Sequence, residues 1–363
     1  MPKFHEIFRV DQLPVFQNRM FPDRESAINC ARGDVVLVQD PTSGLIYNNH
    51  FDPNLLDYNS DYQNEQGVSG AFREHLASVL DVVGRHLTGC SLIEIGCGKG
   101  LFLELLSSRG YKVTGLDPAY EGNNSLIRKE YFSPTTGIKA DGLILRHVLE
   151  HITDPVSFLM MLREANGGKG KIYIEVPCLD WISTHEAWFD IFYEHVNYFR
   201  LADFERIFGT VYELGHTFGG QYLSVVADLG SVRKPVSIAP EKFSFSASFT
   251  SSITKFANFL RGKSIESDGR QRVAIWGGAS KGVTFALYMQ RLGIPLEIVV
   301  DVNSAKQGRY LPASGIRIHS PAEAINKLVI GADVFVMNSN YLNEIREMTS
   351  DKFNYLLVER SDV

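Results

Sequence analysis

Apolar residues recur every three or four places at Phe72, Leu76, Val79, Leu80 and Val83. That period predicts a helix capped by Ser69 and running to about Leu87. Just beyond it the period shortens. Leu92-Ile93-Glu94-Ile95 reads as a strand entering the turn Gly96-Cys97-Gly98-Lys99-Gly100, and Leu101 to Leu106 leaves that turn as a helix. Further strands are predicted at Tyr111 to Asp117, from Ala140 toward Arg146, at Lys171 to Pro177 and at Gln221 to Ala227. After a polar stretch with Pro235 and Pro240, Ser248 to Arg261 reads as an amphipathic helix. A second unit then repeats the theme. Arg272 to Trp276 runs into Gly277-Gly278-Ala279-Ser280-Lys281-Gly282, and strands follow at Leu296 to Asp301, Ala332 to Met337 and Tyr355 to Glu359. Strands separated by crossover-length connections predict parallel sheets.

The expected fold is therefore α/β. A Rossmann-like sheet spans 71–230, a second Rossmann-like domain spans 231–363, and a small irregular, aromatic-rich segment spans 1–70. A length of 363 residues allows two or three domains. A hydrophobic content of 44% with 21% charged residues is that of a globular chain. A net charge of −6 argues against a nucleic-acid partner, which needs a basic face. No run reaches the length of a membrane span, and the N-terminus lacks the apolar core of a signal peptide. Cys30, Cys90, Cys97 and Cys178 show no pairing pattern and read as reduced thiols, which with the absent leader gives a cytoplasmic expectation.

The first glycine turn carries the chemistry. Glycine has no Cβ and tolerates positive φ, so backbone and ligand approach closely there. A dinucleotide site wants Gly-x-G-x-x-Gly. Here the spacing is Gly-x-Gly-x-Gly, and Glu94 precedes the first glycine by two. An acid is a poor neighbour for pyrophosphate and a good one for the cationic end of S-adenosylmethionine (SAM). The stretch resembles motif I of the class I SAM-dependent methyltransferases. Asp117 ends the next strand some twenty residues on, where such folds place a carboxylate on the ribose hydroxyls. The resemblance implies that Glu94, Gly96, Gly98, Gly100 and Asp117 hold SAM, with Arg146 and His147 beside its methionine part.

Two further stretches narrow the resemblance: Trp188 to Phe199, and the C-terminal half with Gly278 to Gly282 and Asp301-Val302-Asn303-Ser304-Ala305-Lys306-Gln307-Gly308. Both are similar to the sugar-nucleotide C-methyltransferase family, which acts on keto-deoxysugars carried on a nucleotide diphosphate. The likeness covers nearly the whole chain. It implies a base that removes a proton beside a ketone, and the family's Tyr-His-Glu-His segment falls on Phe192, Tyr193, Glu194 and His195. His195 is the expected base, with Glu194 and Tyr193 in support. The first tyrosine of that segment is phenylalanine here. The family's four N-terminal cysteines are also missing, and Cys30 alone cannot hold a zinc that wants four ligands, so no metal is expected.

Tyr58 and Tyr62 are candidates to cover the SAM pocket as a lid and to touch the substrate, or are ordinary packing. Gly278 and Lys281 are candidates for a diphosphate. His147 and His151 stand four apart, a spacing that suits a metal on one helix face. The preferred reading places His147 beside SAM and leaves His151 packed or solvated. Glu150 is an alternative base. The expected partner is a small molecule, a nucleotide-linked sugar by the resemblance, with the protein a monomer or homodimer. Rival readings are an O- or N-methyltransferase, and a SAM-binding protein without activity.

Overall fold

A computed structural model describes residues 5–56, 67, 69–235, 241–263 and 269–360, arranged around three sheets. The first sheet is antiparallel: β1 (His5–Pro14), β2 (Arg32–Gln39), β3 (Ile46–Asn48) and, from much later in the chain, β9 (Asn197–Tyr198). The segment expected to be irregular thus contains two long strands. Its alternation is masked by register shifts between Glu6 and Phe8 and between Val10 and Leu13, where bulges break the period of two.

The second sheet has β4 (Ser91–Ile95), β5 (Lys112–Leu116), β6 (Ile127–Arg128), β7 (Gly142–Arg146), β8 (Lys171–Pro177), β10 (Val211–Thr217) and β11 (Tyr222–Asp228). Their order is β10-β11-β8-β7-β4-β5-β6, with β11 antiparallel to both its neighbours and the other pairs parallel. The strand order reverses at β4, between β5 and β7, and open α/β sheets bind ligands outside the strand ends at such a point. The third sheet is wholly parallel: β12 (Gln271–Trp276), β13 (Val299–Val300), β14 (Ile318–His319), β15 (Leu328–Val336) and β16 (Asn354–Leu357), in the order β14-β13-β12-β15-β16. It reverses at β12 in the same way.

The helix Gly70–Leu87 buries Phe72, Leu76, Val79, Leu80, Val83 and Leu87 on one face, as its apolar spacing predicts. Ser69 Oγ accepts from Phe72 N at 3.3 Å. A second cap comes from the far end of the chain: Glu344 accepts from Ala71 N at 2.7 Å and from Ser69 Oγ at 2.9 Å. An aromatic cluster also joins the halves, with Trp188 stacked on Phe285 at 5.6 Å and Phe285 against Phe335 at 5.6 Å. Buried aromatic pairs of this kind add about 0.5–1.5 kcal/mol each beyond their area.

Candidate active site

The glycine turn follows β4 with three positive φ angles: 69° at Gly96, 54° at Gly98 and 89° at Gly100. A Cβ on Gly96 would lie 2.5 Å from Val148, and one on Gly100 would lie 2.5 Å from Ile127. Above Gly98 there is open space. Asp117 braces the turn: its Oδ2 accepts from Gly98 N at 2.8 Å and its Oδ1 from Ala119 N at 2.9 Å. Glu94 is buried, and its Oε2 has no hydrogen-bond partner among the described residues. Burial, with the nearby Asp117 charge, pushes its carboxyl up to about 7 against the opposing pull of Arg146. An unpaired acid beside an open glycine cradle fits a cationic ligand such as SAM. Cys97, inside the turn, is buried and its thiol is pushed well up by burial, which leaves it inert.

A cavity of about 230 Å³ lies between the second and third sheets, with His147, just past β7, in its wall. Its wall on the side of the second sheet includes His147, Glu150, His151, Phe192, His195 and Tyr222. The opposite wall includes Gly277, Ser280, Lys281, Asp301, Asn303 and Lys306. These groups come from segments far apart in the chain. The residues 192–198 are held in place by β9, which pairs with β3, and by Asn48 N donating to Val196 O at 2.7 Å. The N-terminal sheet therefore carries part of the cavity wall.

His147 follows β7 in a left-handed backbone conformation, φ 51°. Non-glycine residues hold that conformation at a cost, and it clusters at functional sites. Its Nε2 lies 2.9 Å from Glu175 Oε1 and its Nδ1 lies 3.4 Å from Glu150 Oε1. Burial alone would depress the imidazole, but hydrogen bonds to Glu150 and Glu175 and their charges win and lift it to about 9. Glu175 is fully buried and also meets Arg146 Nη2 at 2.9 Å, His75 Nε2 at 3.1 Å and Tyr173 Oη at 3.1 Å. Arg146 is thus bound to Glu175 and laid over the Phe102 ring at 4.7 Å; it does not line the cavity. His75 and Glu175 were not foreseen, since a lone histidine on a helix and an acid inside a strand give no motif.

His195 does line the cavity, in edge contact with Phe192 at 4.9 Å and with His151 at 5.0 Å. Burial, then the neighbouring His151 and His147, holds its imidazole well below the usual range, so it is neutral at pH 7. Its two expected helpers point elsewhere. Glu194 Oε1 accepts from Gln17 N at 3.0 Å. Tyr193 is fully buried against Gly33, and its hydroxyl accepts from Asp52 N at 2.9 Å. Both side chains are taken up by the N-terminal segment instead, through Gln17, Gly33 and Asp52. Glu194 still reaches the site through its main chain, whose carbonyl accepts from His151 Nδ1 at 2.8 Å. His151 faces the cavity, and the 149–151 stretch is a 3-10 turn, so His147 and His151 share no helix face.

On the C-terminal side, Lys281 Nζ lies 2.9 Å from Gln221 Oε1 and 3.2 Å from Asp190 Oδ2. Gly278 packs against Val299, Asp301 and Ile318 behind the cavity wall. Asn303 Nδ2 is buried without a hydrogen-bond partner among the described residues, and Lys306 Nζ lies 3.9 Å from Asp301 Oδ2. Tyr58 and Tyr62 lie outside the described residues. A larger open groove, about 860 Å³, sits at the opposite ends of β4 and β5. Its acid Asp141 is occupied by Ser91. No helix among the described residues is long and apolar enough to cross a membrane.

Comparison with known proteins agrees with this architecture. Residues 61–211 match the family model of a methyltransferase domain, and residues 239–353 match that of the C-methyltransferase C-terminal domain. The chain thus carries a methyltransferase domain followed by a C-methyltransferase C-terminal domain. Among individual proteins it is similar to C-methyltransferase NovU of Streptomyces niveus, 24% identical over 70% of this chain and 69% of that protein. It is 32% identical to the ubiquinone biosynthesis O-methyltransferase of Methylobacterium sp. (strain 4-46), over 23% of this chain and 43% of that protein. The chain thus spans less than half the length of the latter. A SAM dependent methyltransferase from Archaeoglobus fulgidus of known structure shares 19% identity, with a TM-score of 0.32, over 43% of this chain and 94% of that one.

Proposed function

We propose that the protein transfers the methyl group of SAM to carbon in a small polar acceptor held in the 230 Å³ cavity, and that the acceptor is a keto-deoxysugar carried on a nucleotide. One observation carries the reading: a single cavity sets the proton-handling groups Glu150, His151 and His195 opposite the glycine turn of the C-terminal domain. SAM supplies an electrophilic methyl; the chain supplies position and proton transfer. Residues 71–230 would then hold SAM, residues 231–363 would close over the acceptor, and residues 1–70 would support residues 192–198. Glu94, Gly96, Gly98, Gly100 and Asp117 would form the SAM cradle, and His147 lines the cavity.

Methylation at carbon requires removal of a proton next to a carbonyl. His195, neutral and facing the cavity, is suited to take it. Asp301, Asn303, Lys306 and Ser280 offer the polar surface that a ribose and diphosphate would need. Enclosure between the two sheets holds acceptor and methyl in line, and such positioning can lower a barrier by roughly 7–11 kcal/mol. The name NovU C-methyltransferase carries the carbon reading, and the O-methyltransferase relative supports the alternative of transfer to oxygen.

Incubation with labelled SAM and a panel of keto-sugar nucleotides tests the proposal. Transfer to at least one is expected, with deuterium from solvent entering the carbon beside the ketone when SAM is omitted. Transfer without exchange would move the assignment to oxygen, and transfer to none would remove the sugar reading. His195→Ala should reduce turnover by roughly 10²- to 10⁴-fold while SAM affinity is nearly unchanged. Equal losses of both would make His195 structural.

A further inference from the structure

Glu150, His151 and His195 do more than border the cavity. Each offers one ligand atom, and those atoms lie within 4.8 Å of one another. Two come from the turn Leu149–His151 after β7, and the third from the segment just before β9. Glu150 is buried, and its Oε2 has no hydrogen-bond partner among the described residues. A buried acceptor left unpaired costs about 1–3 kcal/mol, more when charged, so such a group calls for a partner the protein does not itself provide. His147 lies on the other oxygen, Oε1. His151 supplies a second sign. Its Nδ1 faces the Glu194 carbonyl, which can only accept, so in the neutral ring Nε2 carries the lone pair. An imidazole anchored through one nitrogen to a carbonyl is the usual form of a metal-bound histidine.

We propose that Glu150, His151 and His195 bind a divalent cation of the first transition row. Two imidazole nitrogens and one carboxylate oxygen suit Zn²⁺, Fe²⁺, Co²⁺ or Mn²⁺ better than Mg²⁺ or Ca²⁺, which favour oxygen alone. Three protein ligands leave positions open to the cavity, as catalytic sites do and structural sites do not. The site is separate from the N-terminal region in which the cysteines for zinc are missing. Its purpose, though not its existence, rests on the acceptor occupying this cavity. A carbonyl or hydroxyl oxygen bound to the ion would be polarised, which makes the neighbouring proton easier to remove. His195 bound to the ion could not also take the proton, so its role as base would belong to the metal-free protein.

Untagged protein, stripped with a chelator, is titrated with Co²⁺ by calorimetry and by visible absorption, which reports nitrogen and oxygen ligation directly. A single equivalent is expected, with Glu150→Gln and His151→Ala each weakening Co²⁺ by roughly tenfold or more while SAM binding persists. If one variant fails to fold, the other carries the test. No binding, or binding that survives both substitutions, overturns the site. Methyl transfer assayed before and after stripping separates the two proposals. Co²⁺ bound by the trio with no acceptor methylated would leave the site standing and remove the acceptor reading. Methyl transfer undiminished by stripping, in protein that takes up no Co²⁺, would remove the site and leave the acceptor reading.

Discussion

The chain uses a strand, a glycine turn and a helix twice, and the two copies differ two places before the first glycine: Glu94 in one, Ile275 in the other. The rest of the contrast follows from what surrounds each turn. At the first, Asp117 braces the backbone of Gly98, and nothing stands within 4 Å of where a side chain on Gly98 would project. At the second, the matching acid Asp301 accepts from Asn303 N at 2.8 Å in its own loop. There a Cβ on Gly282 would lie 1.9 Å from the carbonyl oxygen of Gly277. The first turn is open and acid-lined; the second is closed on itself, with Lys281 beside it. One local pattern thus serves a cationic ligand in one place and, in our reading, the polar end of the acceptor in the other.

Substitutions at the two turns sharpen this contrast. The largest effect is expected from Gly282→Ala. Backbone cannot yield as a side chain does, so the C-terminal half should lose about 3 kcal/mol or more, read as a lower denaturation midpoint. A midpoint unchanged would show the second turn to be as open as the first. Glu94→Gln comes next. The free protein keeps Glu94 protonated below about pH 7, and SAM favours its ionised form, so SAM affinity should rise with pH through about 7 and then level. The variant should show a flat profile, and at high pH an affinity roughly tenfold lower. The sign for stability is opposite. The unfolded carboxyl ionises first, so the SAM-free protein should lose stability as pH rises from about 4.5 toward 7, and Glu94→Gln should remove that slope. Calorimetry with SAM at pH values on both sides of 7 checks the first claim, and denaturation over the same range checks the second. Gly98→Ala should be smallest in stability. Positive φ costs about 1 kcal/mol, and no atom is in the way, but SAM binding should weaken markedly. Retained SAM affinity would mean that the open face above Gly98 is not the cradle.

The helix Gly70–Leu87, both glycine turns and the strands β4, β5, β7, β8, β12 and β15 were legible because each signal is local: a period, a cap, or an apolar run closed by glycine. The acids Asp117 and Asp301 were legible as strand ends for the same reason. Strands β3, β9 and β14 were not, since two or three residues carry no period. The site was readable in pieces. His195 could be found from the likeness of its segment, but the outward turn of Tyr193 and Glu194 depends on Gly33, Asp52 and Gln17, all far away in sequence. The meeting of His151 with His195 depends likewise on β9 joining the N-terminal sheet.

The cap that Glu344 places on the helix Gly70–Leu87 ties the cofactor-binding half to the far end of the chain. Were the two halves to part to admit an acceptor or release a product, the first turn of that helix would lose its carboxylate. Each catalytic cycle would then include a small, reversible fraying of a helix end, and the pace of that fraying would help set how long a product stays bound.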